Sequence, residues 1–90
     1  MFLAKVEETF EIRTRGCVIV PATPASDFRL RALDPVQLRT PDGHALDTHI
    51  ASVELLSGPQ VKGRMALLLP EGVTKQDVPI GTEIWLISTP

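Results

Sequence analysis

The stretch FLAKVEETFEI, residues 2–12, decides the fold. Apolar and polar side chains alternate in it, and the apolar positions are Phe2, Ala4, Val6, Phe10 and Ile12. This period of two is typical of a half-buried β-strand, because successive side chains of a strand point to opposite faces of the sheet. Glu8 interrupts the apolar phase, so the pattern also predicts either a β-bulge or the open end of a barrel at this residue.

Further short segments of strand-like composition follow along the chain. We predict strands at residues 17–20, 28–33, 36–39, 45–56, 63–69 and 83–87. Turn sequences separate several of them, for example Pro41-Asp42-Gly43, in which proline presets one dihedral angle and glycine accepts a positive φ.

Two segments carry finer local signals. The apolar phase of residues 45–56 changes between Ile50 and Val53, which predicts a bulge or a strong bend near Ala51–Ser52. Residues 73–79 predict one short helical turn with Thr74 as its N-cap and Asp77 near its third position.

Six or seven short strands and no long helix predict an all-β fold, a small closed antiparallel β-barrel. Closure would remove the unpaired edges of an open sheet. A chain of 90 residues supports one core, so we expect residues 1–90 to form a single domain. Because only 4% of the residues are aromatic, aliphatic side chains must fill the interior.

The composition also narrows the classes of function. A net charge of −2 gives no long-range attraction for phosphates, so we expect no generic DNA binding. The single cysteine, Cys17, excludes a disulfide within the chain, which is typical of a reducing compartment and predicts a cytoplasmic protein. The longest apolar run, Met65–Leu69, is far shorter than the roughly 20 residues of a membrane helix, so we expect a soluble protein without membrane association.

Four parts of the chain resemble, in order, the second domain of elongation factor Tu, a translational GTPase. The opening strands of that domain, which include an Arg-Gly-Thr-Val pattern, are similar to Val6–Ile12 followed by Arg15–Ile19. Its Gly-Asp/Glu-x-Val-x-Ile strand, its x-x-x-Val-Glu-Met-Phe strand and its Ile-x-Arg-Gly-x-Val-Leu ending are similar to Asp34–Arg39, Ile50–Leu56 and Asp77–Trp85. The resemblance covers approximately residues 5–88.

This resemblance implies a six- or seven-stranded barrel of the kind that follows a GTPase domain and helps to hold the aminoacyl end of a transfer RNA. It also implies a role for Glu54, which matches the family glutamate on which the terminal adenosine of the transfer RNA packs. Residues 1–90 contain no P-loop sequence.

The arginines are the other candidate binding residues. Six arginines stand against three lysines, and the planar fork of arginine suits phosphate and carboxylate partners. Those we single out end the first strand or occupy alternate positions that we expect to face solvent: Arg13, Arg15, Arg29, Arg31 and Arg39. If they converge on one face they form a docking patch, whereas acidic residues between them, such as Glu7, Glu11 and Asp27, would cancel the field.

The residues that could support catalysis or metal binding have simpler explanations. His44 and His49 lie five positions apart and point to opposite faces of one strand, so surface or turn histidines are the ordinary interpretation. Cys17 stands in an apolar run and is typical of a buried, inert thiol. Trp85 could stack on a base or fill the barrel, and its large apolar area favours the core. We expect no enzyme, no metal and no cofactor.

The sequence therefore predicts a non-catalytic binding module that contacts a protein or the end of an RNA through one side of a barrel. The alternative is a structural accessory domain of a larger GTPase assembly, with no ligand of its own.

Overall fold

A computed structural model describes residues 1–12, 16–22, 30–55 and 64–87. In these ranges the strands are β1 (Phe2–Ile12), β2 (Gly16–Pro21), β3 (Pro35–Arg39), β4 (Ala45–His49), β5 (Ser52–Leu55), β6 (Met65–Leu68) and β7 (Glu83–Leu86). One turn of 3₁₀ helix spans Lys75–Asp77, and no α-helix occurs in the described ranges. The prediction of an all-β fold is confirmed.

No helix within the described ranges is long and apolar enough to cross a membrane.

All neighbouring strands pair antiparallel, in the order β4-β3-β7-β1-β2-β6-β5. The long strand β1 has two partners, because Phe2–Lys5 pairs with β7 and Val6–Ile12 pairs with β2. We call β4, β3, β7 and the start of β1 the first half-sheet, and the rest of β1 with β2, β6 and β5 the second half-sheet. Strand β1 thus joins the two halves along one side.

The predicted closure into a barrel is not found, because β4 and β5, the two ends of the strand order, form no ladder with each other. They are consecutive strands separated by Ile50 and Ala51 alone. The Ile50 N–H donates to the carbonyl of Asp34 at 3.0 Å, and the Ala51 N–H donates to that of Leu68 in β6 at 2.8 Å. Since these two residues carry the chain from one half-sheet to the other rather than through a hairpin, the strands cannot lie side by side. Of the two alternatives predicted near Ala51–Ser52, a bulge and a strong bend, the bend is found, and it divides the strand predicted at residues 45–56 into β4 and β5.

The core lies between the half-sheets and is aliphatic, as predicted. Its buried members are Val6, Cys17, Ile19, Leu30, Val36, Leu38, Ile50, Met65, Leu67, Leu69, Val78 and Ile84. Both half-sheets contribute, so neither could bury its apolar face without the other.

The bulge predicted at Glu8 is confirmed, since the β1–β2 register shifts between Val6 and Glu8. The faces of the strand change there. Beyond the shift Thr9 is 6% exposed, and its hydroxyl donates to the Val78 carbonyl at 2.9 Å. The following Phe10 is 50% exposed. One extra residue exchanges the two faces of a strand, so the prediction that Phe10 and Ile12 face the core is wrong. Phe2, in the same predicted apolar phase, is also exposed, and the β1–β7 register shifts between Phe2 and Ala4.

The strand predicted at residues 28–33 is also corrected, as far as the structure describes it. Residues 31–34 form a turn in which the Asp34 N–H donates to the Arg31 carbonyl at 3.1 Å. The Asp34 carboxylate accepts the Arg31 N–H at 2.8 Å, and Leu33 takes a φ of 73°. An aspartate side chain that bonds to nearby backbone favours such turns over strands.

Two other local predictions are confirmed. Residues 41–43 form a turn in which Gly43 has a φ of 95°, a region that glycine enters without steric cost. Thr74 precedes the 3₁₀ turn, and its backbone N–H donates to the Asp77 carboxylate at 3.0 Å.

Candidate functional site

Trp85 lies on the outer face of the first half-sheet. Its neighbour Ile84 is completely buried, and Leu86 packs against the core. Since side chains alternate along a strand, Trp85 faces outward, where it is half-buried. The expectation that this indole fills the core is wrong.

Strand pairing arranges the outer face in two rows. The register places Asp47, Gln37, Trp85 and Phe2 side by side across β4, β3, β7 and β1. The adjacent row consists of Ala45, Arg39, Glu83 and Lys5. Residues paired in this way are close enough for direct side-chain contact.

The indole of Trp85 is held by three neighbours. The guanidinium carbon of Arg39 lies 4.0 Å from the centroid of the Trp85 ring, a cation–π contact. The ring of Phe2 meets it edge to face, with centroids 5.6 Å apart and planes at 68°. The indole N–H donates to a carboxylate oxygen of Glu83 at 3.0 Å. The position of the ring is therefore fixed.

A chain of hydrogen bonds fixes Arg39 as well. The Gln37 amide nitrogen donates to Asp47 at 2.9 Å, and the Gln37 amide oxygen accepts the Arg39 Nε–H at 2.7 Å. The aspartate thereby orients the amide, and the amide orients the guanidinium. We call Phe2, Gln37, Arg39, Asp47 and Trp85 together the tryptophan face.

A depression of ≈ 360 Å³ lies on the tryptophan face, lined by Gln37, Arg39, Asp47 and Trp85 together with Met1, Leu86 and Ile87. Met1 is 69% exposed and Ile87 is 36% exposed. The volume is at the lower end of the range of about 300–1,000 Å³ found for ligand pockets. The face thus combines a fixed aromatic ring, an arginine and an open hollow lined by both polar and apolar residues.

The predicted binding residues do not come together. Arg39 lies on the tryptophan face, whereas Arg31 is exposed at the turn before β3, at the other end of that strand. Glu54 lies in β5 of the second half-sheet, opposite Ala66. The remaining predicted residues, Arg13, Arg15 and Arg29, lie outside the described residues.

Glu54 borders a much smaller hollow. This hollow measures ≈ 20 Å³, and its other lining residues are Ile12, Val18, Ala66 and Leu68. Such a volume holds about one water molecule. A nucleoside base could lie over this hollow but could not enter it.

Cys17 is buried, as predicted, with 0% of its surface exposed. Burial raises the pKa of the Cys17 thiol, and the negative charges of Glu11 and Asp77 raise it further, against a smaller opposite effect of Lys75. A buried thiol that resists ionisation is a poor nucleophile.

The histidines lie apart from the tryptophan face. The Nδ1 atom of His44 is 3.1 Å from the Asp42 carboxylate in an exposed turn, whereas His49 ends β4 and is exposed. Within the part of the chain that the structure describes, no three His, Cys, Asp or Glu side chains converge as metal ligands would.

Sequence reasoning missed the tryptophan face, although one signal was present. Ile84 and Leu86 share a strand phase, which sends Trp85 to the opposite side. No comparable signal identified Phe2 or Gln37 as its neighbours, because their contacts follow from the pairing of distant strands.

Fold and site together define an all-β domain with a preformed aromatic and arginine surface. No model of a protein family, no curated protein and no solved structure matches this chain. The similarity to the second domain of elongation factor Tu stays a prediction that rests on the sequence segments.

Proposed function

We propose that the chain is a non-catalytic binding module whose tryptophan face engages a protein partner. The observation that carries this proposal is the outward indole of Trp85, held between Arg39 at 4.0 Å and the ring of Phe2 at 5.6 Å. A strand that turns its one tryptophan outward, where the ring is half-buried, while an isoleucine takes the buried position beside it favours recognition over packing.

The composition of the face is that of an interface centre. Tryptophan, phenylalanine, methionine and arginine are enriched in protein–protein interfaces, and tryptophan and arginine dominate their binding energy. Because Trp85 and Arg39 are already fixed by neighbours, little side-chain entropy is lost when a partner docks.

The charges favour a protein over an RNA. On this outer face Arg39 and Lys5 are accompanied by Asp47 and Glu83, so positive and negative charges balance. Tight RNA binding takes an excess of positive charge along the backbone path.

The resemblance to the second domain of elongation factor Tu enters the proposal as a likeness of architecture. The support for this likeness is the seven antiparallel strands of the described ranges, which form an open sheet rather than a closed barrel. If the domain is an accessory part of a larger GTPase assembly, the same face would dock on a neighbouring domain.

A second candidate is binding of an RNA end at Glu54. The apolar surroundings of Glu54 on the second half-sheet favour it, but the hollow there is ≈ 20 Å³ against ≈ 360 Å³ at the tryptophan face.

Affinity capture tests the choice between these surfaces. Immobilised wild type, Arg39→Ala, Phe2→Ala and Glu54→Ala are each exposed to extract of the source cells, with Arg31→Ala as an exposed arginine control. We expect one saturable protein partner that Arg39→Ala and Phe2→Ala lose and that Arg31→Ala and Glu54→Ala keep.

Ribonuclease treatment and a change in salt concentration distinguish a protein partner from an RNA partner. Partner capture that survives ribonuclease and changes little between low and moderate salt supports the protein proposal. If ribonuclease treatment abolishes capture of the partner and Glu54→Ala abolishes it too, the binding site lies on the second half-sheet. Recovery of no reproducible partner would contradict a binding module.

A further inference from the structure

Arg39 presents an unused hydrogen-bonding edge. Its Nε–H is donated to Gln37 at 2.7 Å, and its planar face covers Trp85 at 4.0 Å. Among the described residues it is Nε, not the two terminal nitrogens, that makes the hydrogen bond to Gln37, and Arg39 is exposed. A guanidinium held in this way offers a fixed pair of N–H groups to a planar anion.

The neighbouring carboxylates are already engaged. Asp47 accepts the Gln37 amide at 2.9 Å, and Glu83 accepts the Trp85 indole at 3.0 Å. These hydrogen bonds, together with their positions in the strand register, make Asp47 and Glu83 structural partners of the face. The other cation of these rows, Lys5, lies opposite Glu83 in the strand register, but it neither covers the Trp85 ring nor lines the depression. Arg39 is therefore the group of this face that is best placed to receive an anion from outside.

We propose that the partner segment recognised by the tryptophan face is an acidic peptide, in which a carboxylate binds the open edge of Arg39. An apolar side chain next to that carboxylate then occupies the depression beside Met1, Leu86 and Ile87. This inference rests on the proposed function and adds the chemistry of the partner.

Two features favour a carboxylate over a phosphate. The planar carboxylate matches the two parallel N–H groups of guanidinium, and bidentate pairs of this type are strong and directional. A phosphate brings more negative charge close to Asp47 and Glu83, and among the described residues Arg39 supplies the one guanidinium of this face. The apolar side of the depression also suits a peptide side chain.

A titration followed by NMR tests the proposal on the labelled full chain. The probes are acetyl-Leu-Glu-Leu-amide, its counterpart acetyl-Leu-Gln-Leu-amide, and inorganic phosphate. The signals to follow are the indole N–H of Trp85 and the Nε–H of Arg39. We expect the glutamate peptide to bind about tenfold more tightly than the glutamine peptide, the effect of one charge-assisted pair.

Variants assign that difference to one residue. Arg39→Gln is expected to abolish the preference for glutamate, and Arg31→Gln, a matched change at another exposed arginine, is expected to retain it. Unchanged thermal unfolding of both variants confirms that they remain folded.

Three results would overturn the inference. These are equal affinity for both peptides, a glutamate preference that survives Arg39→Gln, and phosphate shifting the Arg39 signal as strongly as the glutamate peptide does. With any of these results, the proposed binding function still holds if the Arg39→Ala variant no longer captures the partner. If that capture fails as well, the binding role of the tryptophan face fails with it.

Discussion

At the scale of single residues, Asp42 illustrates how a short turn controls the pKa of an exposed carboxyl group. The Thr40 hydroxyl donates to the Asp42 carboxylate, and the Nδ1 atom of His44 lies 3.1 Å from it. The hydrogen bond from Thr40 is the larger cause, and that from His44 the second, of an Asp42 pKa lowered from 3.8 to about 2. Both donors favour the charged form of the group.

The first prediction concerns this pKa. Because the folded-state value is depressed, the charged turn is favoured above pH 3.8 and loses this advantage as the pH falls through about 2. Thr40→Val, which removes the largest single cause, should raise the Asp42 pKa toward 3.8, and loss of the His44 side-chain hydrogen bond in His44→Gln should raise it less. Titration of the side-chain carboxyl carbon by NMR measures both, and equal shifts in the two variants would contradict the ranking of causes.

The orientation of Trp85 can be predicted from its sequence neighbours, but its contact with Arg39 cannot. The shared phase of Ile84 and Leu86 predicts an outward indole from the sequence alone. The approach of Arg39 does not follow from the sequence, because it depends on β3 and β7, which are more than forty residues apart, pairing in one register.

At the scale of elements, β1 depends on its bulge. The alternating pattern breaks at Glu8, but the break alone does not show which of the alternate residues after Glu8 face the core. In the structure Thr9 faces inward, and its hydroxyl donates to the carbonyl of Val78 at 2.9 Å. That partner lies 69 residues away, beyond what local pattern can specify.

The second prediction separates the two faces of this ladder. Phe10→Ala should lower the free energy of unfolding by less than about 1 kcal/mol, because Phe10 is 50% exposed. Ile19→Ala should lower it by about 2–5 kcal/mol, because Ile19 is completely buried in β2. Urea unfolding gives both values, and a larger loss for Phe10→Ala would restore the apolar face expected from the sequence.

The third prediction concerns Arg64, which ties two elements together. It donates to the carbonyl of buried Pro21 through Nε at 3.2 Å and through a terminal nitrogen at 2.6 Å, and it also pairs with Glu7. Arg64→Met should lower the free energy of unfolding by about 1–3 kcal/mol, since the Pro21 carbonyl then loses its donor.

Glu7→Gln serves as the comparison for that variant in urea unfolding. Its side chain is 49% exposed, so removal of this ion pair should cost less than about 1 kcal/mol. If the two variants were equally destabilised, the ion pair rather than the Pro21 carbonyl would be the source of the effect.

At the scale of the whole molecule, strand content was predictable and closure was not. Alternation shows that a segment is a strand, but it carries little information on which strand lies beside it. The ends of the sheet meet through Ile50 and Ala51, whose N–H groups bond to opposite half-sheets. The predicted bend is the corner that connects the two half-sheets, and the predicted closure of the sheet is not found.

The last prediction follows from this architecture. Strand β1 and the corner at residues 50–51 both run from one half-sheet to the other, and the core between them is shared. Neither half can open without exposing apolar surface of the other, so the domain should unfold in one cooperative step. The chain carries one native probe in each half, because its single tryptophan is Trp85 and its single cysteine is Cys17.

Trp85 fluorescence therefore reports on the first half-sheet, and pulsed labelling of the buried Cys17 thiol reports on the second. In urea the two transitions should share one midpoint and one slope. Ile50→Ala, which removes a completely buried side chain at the corner, should move both midpoints down together, by about 2–5 kcal/mol in free energy of unfolding. If Cys17 became reactive while the Trp85 signal was still native, the half-sheets would be independent units and the joint at the corner would carry no cooperativity.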